Sequence, residues 1–278
     1  MAYYWRPDGD FIKKLPNTRK LMPYIMRNRN ESVVYFEQKI DVKNTIPFLS
    51  NVSKKLGKNV TLFYLLIWRI AQVFHLRPGL NRFVSGNRLY QRRGIYITFS
   101  AKKKKSDGSP IFVVKMKIDP KWSFEELIGK VEKAINVGRS DRKSVSDVEM
   151  NILFKLPSFL ISILSSILMK LNHFGLLPKS MIKHDEMYSS VFIANLGSIG
   201  LDSAYHHLYE YGNISIFMTV GKKKAEVVVG DNGKPTVKDL ISIKYSFDER
   251  IEDGIYGFNS MKILKNLIEN PKTEIEIK

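Results

Sequence analysis

The chain has 278 residues, enough for one large domain or two small ones around a substantial core. A content of 44% hydrophobic and 26% charged residues is ordinary for a globular protein, and the lack of cysteine excludes disulfides and thiolate metal sites and suits a reducing cytoplasm. The formal net charge of +18 admits nucleic acid, anionic lipid or a phosphorylated cofactor as partners; because the lysines are scattered and no nucleic-acid-binding signature accompanies them, a solvated basic surface is expected instead.

Met1–Arg6 has no apolar core of signal-peptide length, so secretion is not expected. Arg19 to Arg29 reads as a short helix broken near Pro23. Val33 to Ile40, rich in β-branched and aromatic residues, predicts a strand, and Lys43 to Leu56 a helix stopped at Gly57. From Thr61, as N-cap, the pattern Leu62, Leu65, Leu66, Arg69, Ile70, Val73 predicts a core helix ending at Pro78-Gly79. Strands follow at Leu80–Phe83, Gly94–Phe99 and Ile111–Ile118, with Lys102–Lys105 in a solvated hairpin loop. Pro120 opens a helix capped by Ser123 that runs to Val137.

An apolar helical region spans Ile152 to Leu177, and its stretch Leu156–Met169 carries no charge between Lys155 and Lys170. It is too short to span a bilayer, which takes about 20 residues. Packing on the domain or on a neighbouring subunit is the default expectation, with a membrane-surface anchor and a lid as alternatives. Strands at Ser189–Ala194 and Ile214–Val220 precede a hairpin around Asp231-Asn232-Gly233, which joins Ala225–Val229 to a strand over Leu240–Phe247. A last helix covers Gly254–Glu269, before Pro271. With no internal repeat or linker, the reading is one α+β domain over 1–278, a mixed sheet with packed helices.

Two stretches in this order carry a resemblance. Val191-Phe192-Ile193-Ala194-Asn195-Leu196-Gly197 resembles the "phenylalanine-threonine-isoleucine-serine-asparagine-leucine-glycine" strand end of CoA-dependent acyltransferases. Ser246-Phe247-Asp248-Glu249-Arg250-Ile251-Glu252-Asp253-Gly254 resembles their "aspartate-histidine-arginine-x-x-aspartate-glycine" turn. The strand ending Lys39-Ile40-Asp41-Val42 and the turn Leu80-Asn81-Arg82 fit the same pattern, which extends over most of the chain. The family comprises chloramphenicol acetyltransferase and the acyltransferase catalytic domain of 2-oxo-acid dehydrogenase complexes.

The resemblance implies a chloramphenicol-acetyltransferase-like fold, a homotrimer that can build a cage, and a CoA or acyl-CoA site between subunits. It also implies a histidine base and a serine oxyanion donor. Here Glu249 stands at the histidine and Ala194 at the serine, whereas Asn195, Gly197, Asp253 and Gly254 match. The family's aspartate pairs with an arginine, for which Arg27 or Arg29 is the candidate. The region around 150–180 looks like an addition to the archetypal domains. No lipoyl or subunit-binding segment precedes the domain, so recruitment by those means is not expected.

A glutamate near pKa 4.3 is a poorer base for a thiol than a histidine near 6.5, and an alanine offers no donor. The expectation is therefore a catalytically silent scaffold or CoA/acyl-thioester binder. The alternative is an active transferase using Glu249, assisted by His206 or His207 in the cluster Tyr205-His206-His207-Leu208-Tyr209. The other histidines, His75, His173 and His184, have no carboxylate partner at ligand spacing, so no metal site is expected.

Overall fold

The computed structural model describes residues 5–102, 111–139, 152–230 and 232–277. Of the loop expected over Lys102–Lys105, Lys102 instead closes a strand and 103–105 lie outside the described residues, as does the tip residue Asp231 of the later hairpin.

The main sheet has six strands: β2 (Val33–Asp41), β5 (Ile95–Lys102), β6 (Ile111–Ile118), β7 (Val191–Asn195), β8 (Ile216–Val229) and β9 (Pro235–Asp248). Their order is β2-β9-β8-β7-β5-β6, parallel where β7 meets β5 and β8, and antiparallel elsewhere. A smaller sheet joins β1 (Gly9–Phe11), β4 (Arg88–Arg92) and β3 (Arg82–Ser85). The helices are α1 (Asn17–Ile25), α2 (Thr45–Leu56), α3 (Leu62–Leu76), α4 (Phe124–Arg139), α5 (Ser158–Phe174), α6 (Lys179–His184) and α7 (Gly254–Glu269). Helices and a mixed sheet make this an α+β fold.

Alternation along the strands builds the core. Phe99, Ile193, Met218, Ile243 and Tyr245 point to one face, where they pack with Leu66, Ile70 and Phe74 of α3, Leu127 and Val131 of α4, and Leu264 of α7. On the opposite face Phe192 and Phe217 meet Leu208 and Ile214 from the loop before β8. Loop 200–214 thus crosses the side of the sheet that the core helices leave open.

Several sequence expectations need correction. Pro23 lies inside α1, which ends at Ile25 rather than at Arg29. Leu80 belongs to a 3-10 turn, and the strand begins at Arg82. Thr61 occupies the N-cap position of α3 but makes no side-chain cap bond. Pro120 lies in a turn and α4 starts at Phe124. There the Ser123 hydroxyl accepts from the Glu126 amide at 3.2 Å while the Glu126 carboxylate accepts from the Ser123 amide at 2.8 Å, a reciprocal cap. Strands β8 and β9 continue as a two-stranded arm in which Val227, Val229 and Val237 are exposed. The apolar region resolves into α5, a left-handed cap at Gly175, and α6.

Candidate functional site

The Asp248–Gly254 turn leaves the end of β9 and opens α7. Asp248 is fully buried, and its carboxylate takes a bidentate pair from Arg250: Nε to Oδ1 at 2.8 Å and Nη2 to Oδ2 at 2.7 Å. Burial would lower the Arg250 pKa, but the hydrogen bonds and charge of Asp248 more than offset it, so the guanidinium is held in its charged form. Its Nη1 also donates to the carbonyls of Met26 and Arg27, at 3.1 and 3.2 Å, which ties the turn to the segment after α1.

Glu249 lies next in the chain, half-buried, with its amide donating to the Ser32 carbonyl at 3.0 Å. Arg19 of α1 donates to the Glu249 carbonyl at 3.0 Å and reaches the Glu252 carboxylate at 3.7 Å; Arg82 also pairs with Glu252. The backbone of Glu249 is therefore fixed from two sides, and what its side chain offers is a carboxylate acceptor.

Asp253 is not paired with Arg27 or Arg29. Its carboxylate caps α7, accepting from the Tyr256 amide at 2.7 Å. Arg29 is buried and directed at backbone, donating to the carbonyls of Gly212 at 2.7 Å and Ile214 at 3.2 Å. Sequence spacing missed Arg19 because α1 brings it to the turn from 230 residues away. Gly254 follows the cap, and a Cβ there would meet nothing within 4 Å.

The second motif ends β7. Asn195 caps a 3-10 turn, its Oδ1 accepting from the Ser198 amide at 3.2 Å. Gly197 is required by close approach, since a Cβ there would lie 2.5 Å from the Gly221 carbonyl oxygen of β8. Ala194 pairs with Ser100 of β5 on one side and Thr219 of β8 on the other, so two hydroxyls flank it on one sheet face. Thr219 donates its hydroxyl to the Ala204 carbonyl. Ser100 lines a cavity of about 260 Å³ together with Asn195, Ser198, Thr61, Phe63 and Arg139. Alternation along β5 could have placed Ser100 on that face; its pairing with β7 is a tertiary fact.

His206 and His207 lie on the loop across the same face. The His206 ring stacks on Phe217 at 3.9 Å and 4°, and Phe217 stacks on Phe192 at 4.7 Å and 7°. The His206 Nδ1 lies 2.7 Å from the His207 carbonyl oxygen, and the Ser246 hydroxyl donates to the His206 carbonyl. Burial, and to a lesser extent the neighbouring His207, lowers the His206 pKa, while its bond to the His207 carbonyl opposes the shift. It is an aromatic packing element whose Nδ1 is engaged locally; His207 is exposed.

The two motif ends stay apart within one chain. Ala194 pairs with Thr219, and Thr219 with Lys244, five positions before Glu249. Five residues of strand is roughly 16 Å and two strand spacings roughly 10 Å, so the α-carbons of Ala194 and Glu249 are about 19 Å apart. No single protomer brings them to one reacting atom. Among the described residues, no three His, Asp or Glu side chains gather as metal ligands.

This architecture, in which the two motif turns leave opposite ends of interior strands two positions apart, is the fold of acyltransferase catalytic cores. Residues 177–275, which contain both motif turns, match the family described as 2-oxoacid dehydrogenases acyltransferase (catalytic domain). A probable dihydrolipoamide acetyltransferase from Listeria monocytogenes is similar in structure with a TM-score of 0.60 and 16% identity, over 97% of this chain and 98% of that one. The dihydrolipoamide acetyltransferase (E2p) of Azotobacter vinelandii, studied for a serine, a histidine and an asparagine in its catalytic mechanism, gives 0.62 and 17% over 95% and 93%. The cubic core of a pyruvate dehydrogenase multienzyme complex gives 0.59 and 15% over 95% and 93%. At such identities the likeness establishes the fold. No curated protein sequence matches the chain.

Proposed function

We propose that this chain is an acyltransferase-fold protein that assembles as a homotrimer, or a cage of trimers, and binds CoA or an acyl-thioester without histidine-based acyl transfer. The observation that carries the reading is the pair Glu249 and Ala194, with a carboxylate where the family has its base and a methyl where it has its donor. Losing a general base removes roughly 10²–10⁴ in rate. Losing an oxyanion donor removes about another 10²–10³. The separation of the two positions within one chain supports a site shared between subunits. The same reading takes 1–278 as one cytoplasmic domain.

A second reading has one observation in its favour: Ser100 sets a hydroxyl beside Ala194 and could replace the missing donor in a working transferase with Glu249 as base. His206 is a poor assistant, because its ring is committed to the Phe217 stack.

Two measurements test the proposal. Sedimentation velocity at low micromolar concentration should show a trimer or a multiple of it; a monomer overturns the scaffold. Acetyl-CoA turnover with dihydrolipoamide or chloramphenicol should not exceed background. Turnover abolished by Glu249→Gln and by Ser100→Ala would overturn the silent reading and establish the second.

A further inference from the structure

We propose that α5 lays its exposed apolar face on an anionic lipid surface. The inference goes beyond the proposed function and does not depend on whether the chain transfers acyl groups.

The first observation is how α5 is held. None of its residues is buried. Its C-terminal end is gripped by arginines: Arg6 donates to the Asn172 carbonyl at 2.9 Å and Arg88 to the His173 carbonyl at 2.8 Å, with the Ser85 hydroxyl on the Asn172 carbonyl at 3.0 Å. Arg6 is 1% exposed and bound to Asp8 at 2.9 Å, so the anchor is rigid. Leu168 and Leu171 pack on Leu177, Ile182 and Tyr188 at the base. Beyond that base the helix projects.

The second observation is what projects. Phe159 is 63% exposed, Ile163 51% and Ile167 48%, and spacing of four residues aligns them as one stripe. Phe154 before the helix and Leu176 after it are also exposed, and so is Trp5, whose carbonyl would lie 2.9 Å from a Cβ at Gly175. An apolar run of this extent calls for an occupant.

The third observation selects the occupant. From Ile152 to His184 the chain has no Asp or Glu, while Lys155, Lys170, Lys179 and Lys183 are all cationic. A second copy docked face to face on this segment would set its lysines against identical lysines, with no carboxylate in the segment to pair them. Anionic headgroups supply the missing charge, and the acyl boundary takes the apolar stripe. Arg27 and His173 line a cavity of about 170 Å³ at the foot of α5, where the Glu210 carboxylate is already spent on the amides of Arg29 and Asn30. No described helix is long and apolar enough to cross a membrane. A helix of 17 residues, about 25 Å long, can lie along a surface.

The test is flotation of the full chain with vesicles of phosphatidylcholine alone and with added phosphatidylglycerol. The wild type should float with the anionic vesicles and release as salt rises. Lys155→Gln with Lys170→Gln should weaken binding roughly 30-fold, about fivefold for each lysine. Phe159→Ser with Ile163→Ser should abolish it at unchanged circular dichroism, since both side chains are exposed and their loss leaves the core intact. A wild type that never floats, or a Phe159→Ser/Ile163→Ser protein that floats equally well, overturns the proposal. If the wild type fails to float and that double substitution instead lowers the sedimentation coefficient, the face is a contact between copies. The trimer is read from sedimentation without lipid, so the two proposals fail separately.

Discussion

Asp248→Ala removes the carboxylate that Arg250 grips at the root of the motif turn. Asp248 is fully buried and Arg250 3% exposed, so water cannot stand in for the lost partner. Arg250 keeps its bonds to the Met26 and Arg27 carbonyls but loses both charged acceptors. Breaking a buried pair by deleting one partner costs about 3–5 kcal/mol. At roughly 2–4 °C per kcal/mol for a domain of this class, the melting temperature should fall by about 6–20 °C. Differential scanning calorimetry measures it directly. The double substitution Asp248→Ala/Arg250→Met should cost less than the sum of the singles, because it leaves neither partner of this pair buried without the other. The exposed pair Lys55–Glu125 is the control, and its disruption should cost under about 1 kcal/mol. A fall below about 2 °C for Asp248→Ala would refute the reasoning, since it would mean the pair is solvated.

Two further predictions follow from buried and stacked groups. The Lys115 ammonium is desolvated, which pushes its pKa down to about 8, with Arg92 adding to the shift; it donates to the Ile182 and Asp185 carbonyls, both at 2.7 Å. Unfolded lysine titrates near 10.5, so between about pH 8 and 10.5 the unfolded chain binds more protons and stability rises with pH. The melting temperature of the wild type relative to Lys115→Met should therefore increase from pH 8 to pH 10, and a flat difference would contradict it. His206→Phe keeps the stack on Phe217 and removes the titrating nitrogen; it should melt within about 1 kcal/mol of the wild type. Loss of any measured acyl transfer in His206→Phe would return the histidine to the active site.

The sequence by itself determined the core elements whose signals are local. Helix α7 was legible because Pro271 follows it, although Asp253 was read as an arginine's partner rather than as its cap, and β2 because β-branched and aromatic residues run through it. The two motif turns were also legible, as the ends of β7 and β9, because a motif is a string of neighbours. The arm of β8 and β9 was read short, since Lys222, Lys223, Lys224 and Lys234 look like loop when the hydrogen bonds that pair the strands are unknown. The N-cap at Thr61 was a correct position without the expected bond, because a cap depends on a rotamer as well as a residue type. Only the tertiary structure decided the rest. It set the Arg19 guanidinium on the Glu249 carbonyl and left Asp253 capping a helix instead of pairing with Arg27 or Arg29, placed Ser100 beside Ala194, turned His206 into a stacking ring, and held the two motif ends about 19 Å apart. Each of these is a relation between residues far apart in the chain, set by which strands pair and in what register. A periodic pattern states which face a side chain takes; it does not state which neighbour it finds there.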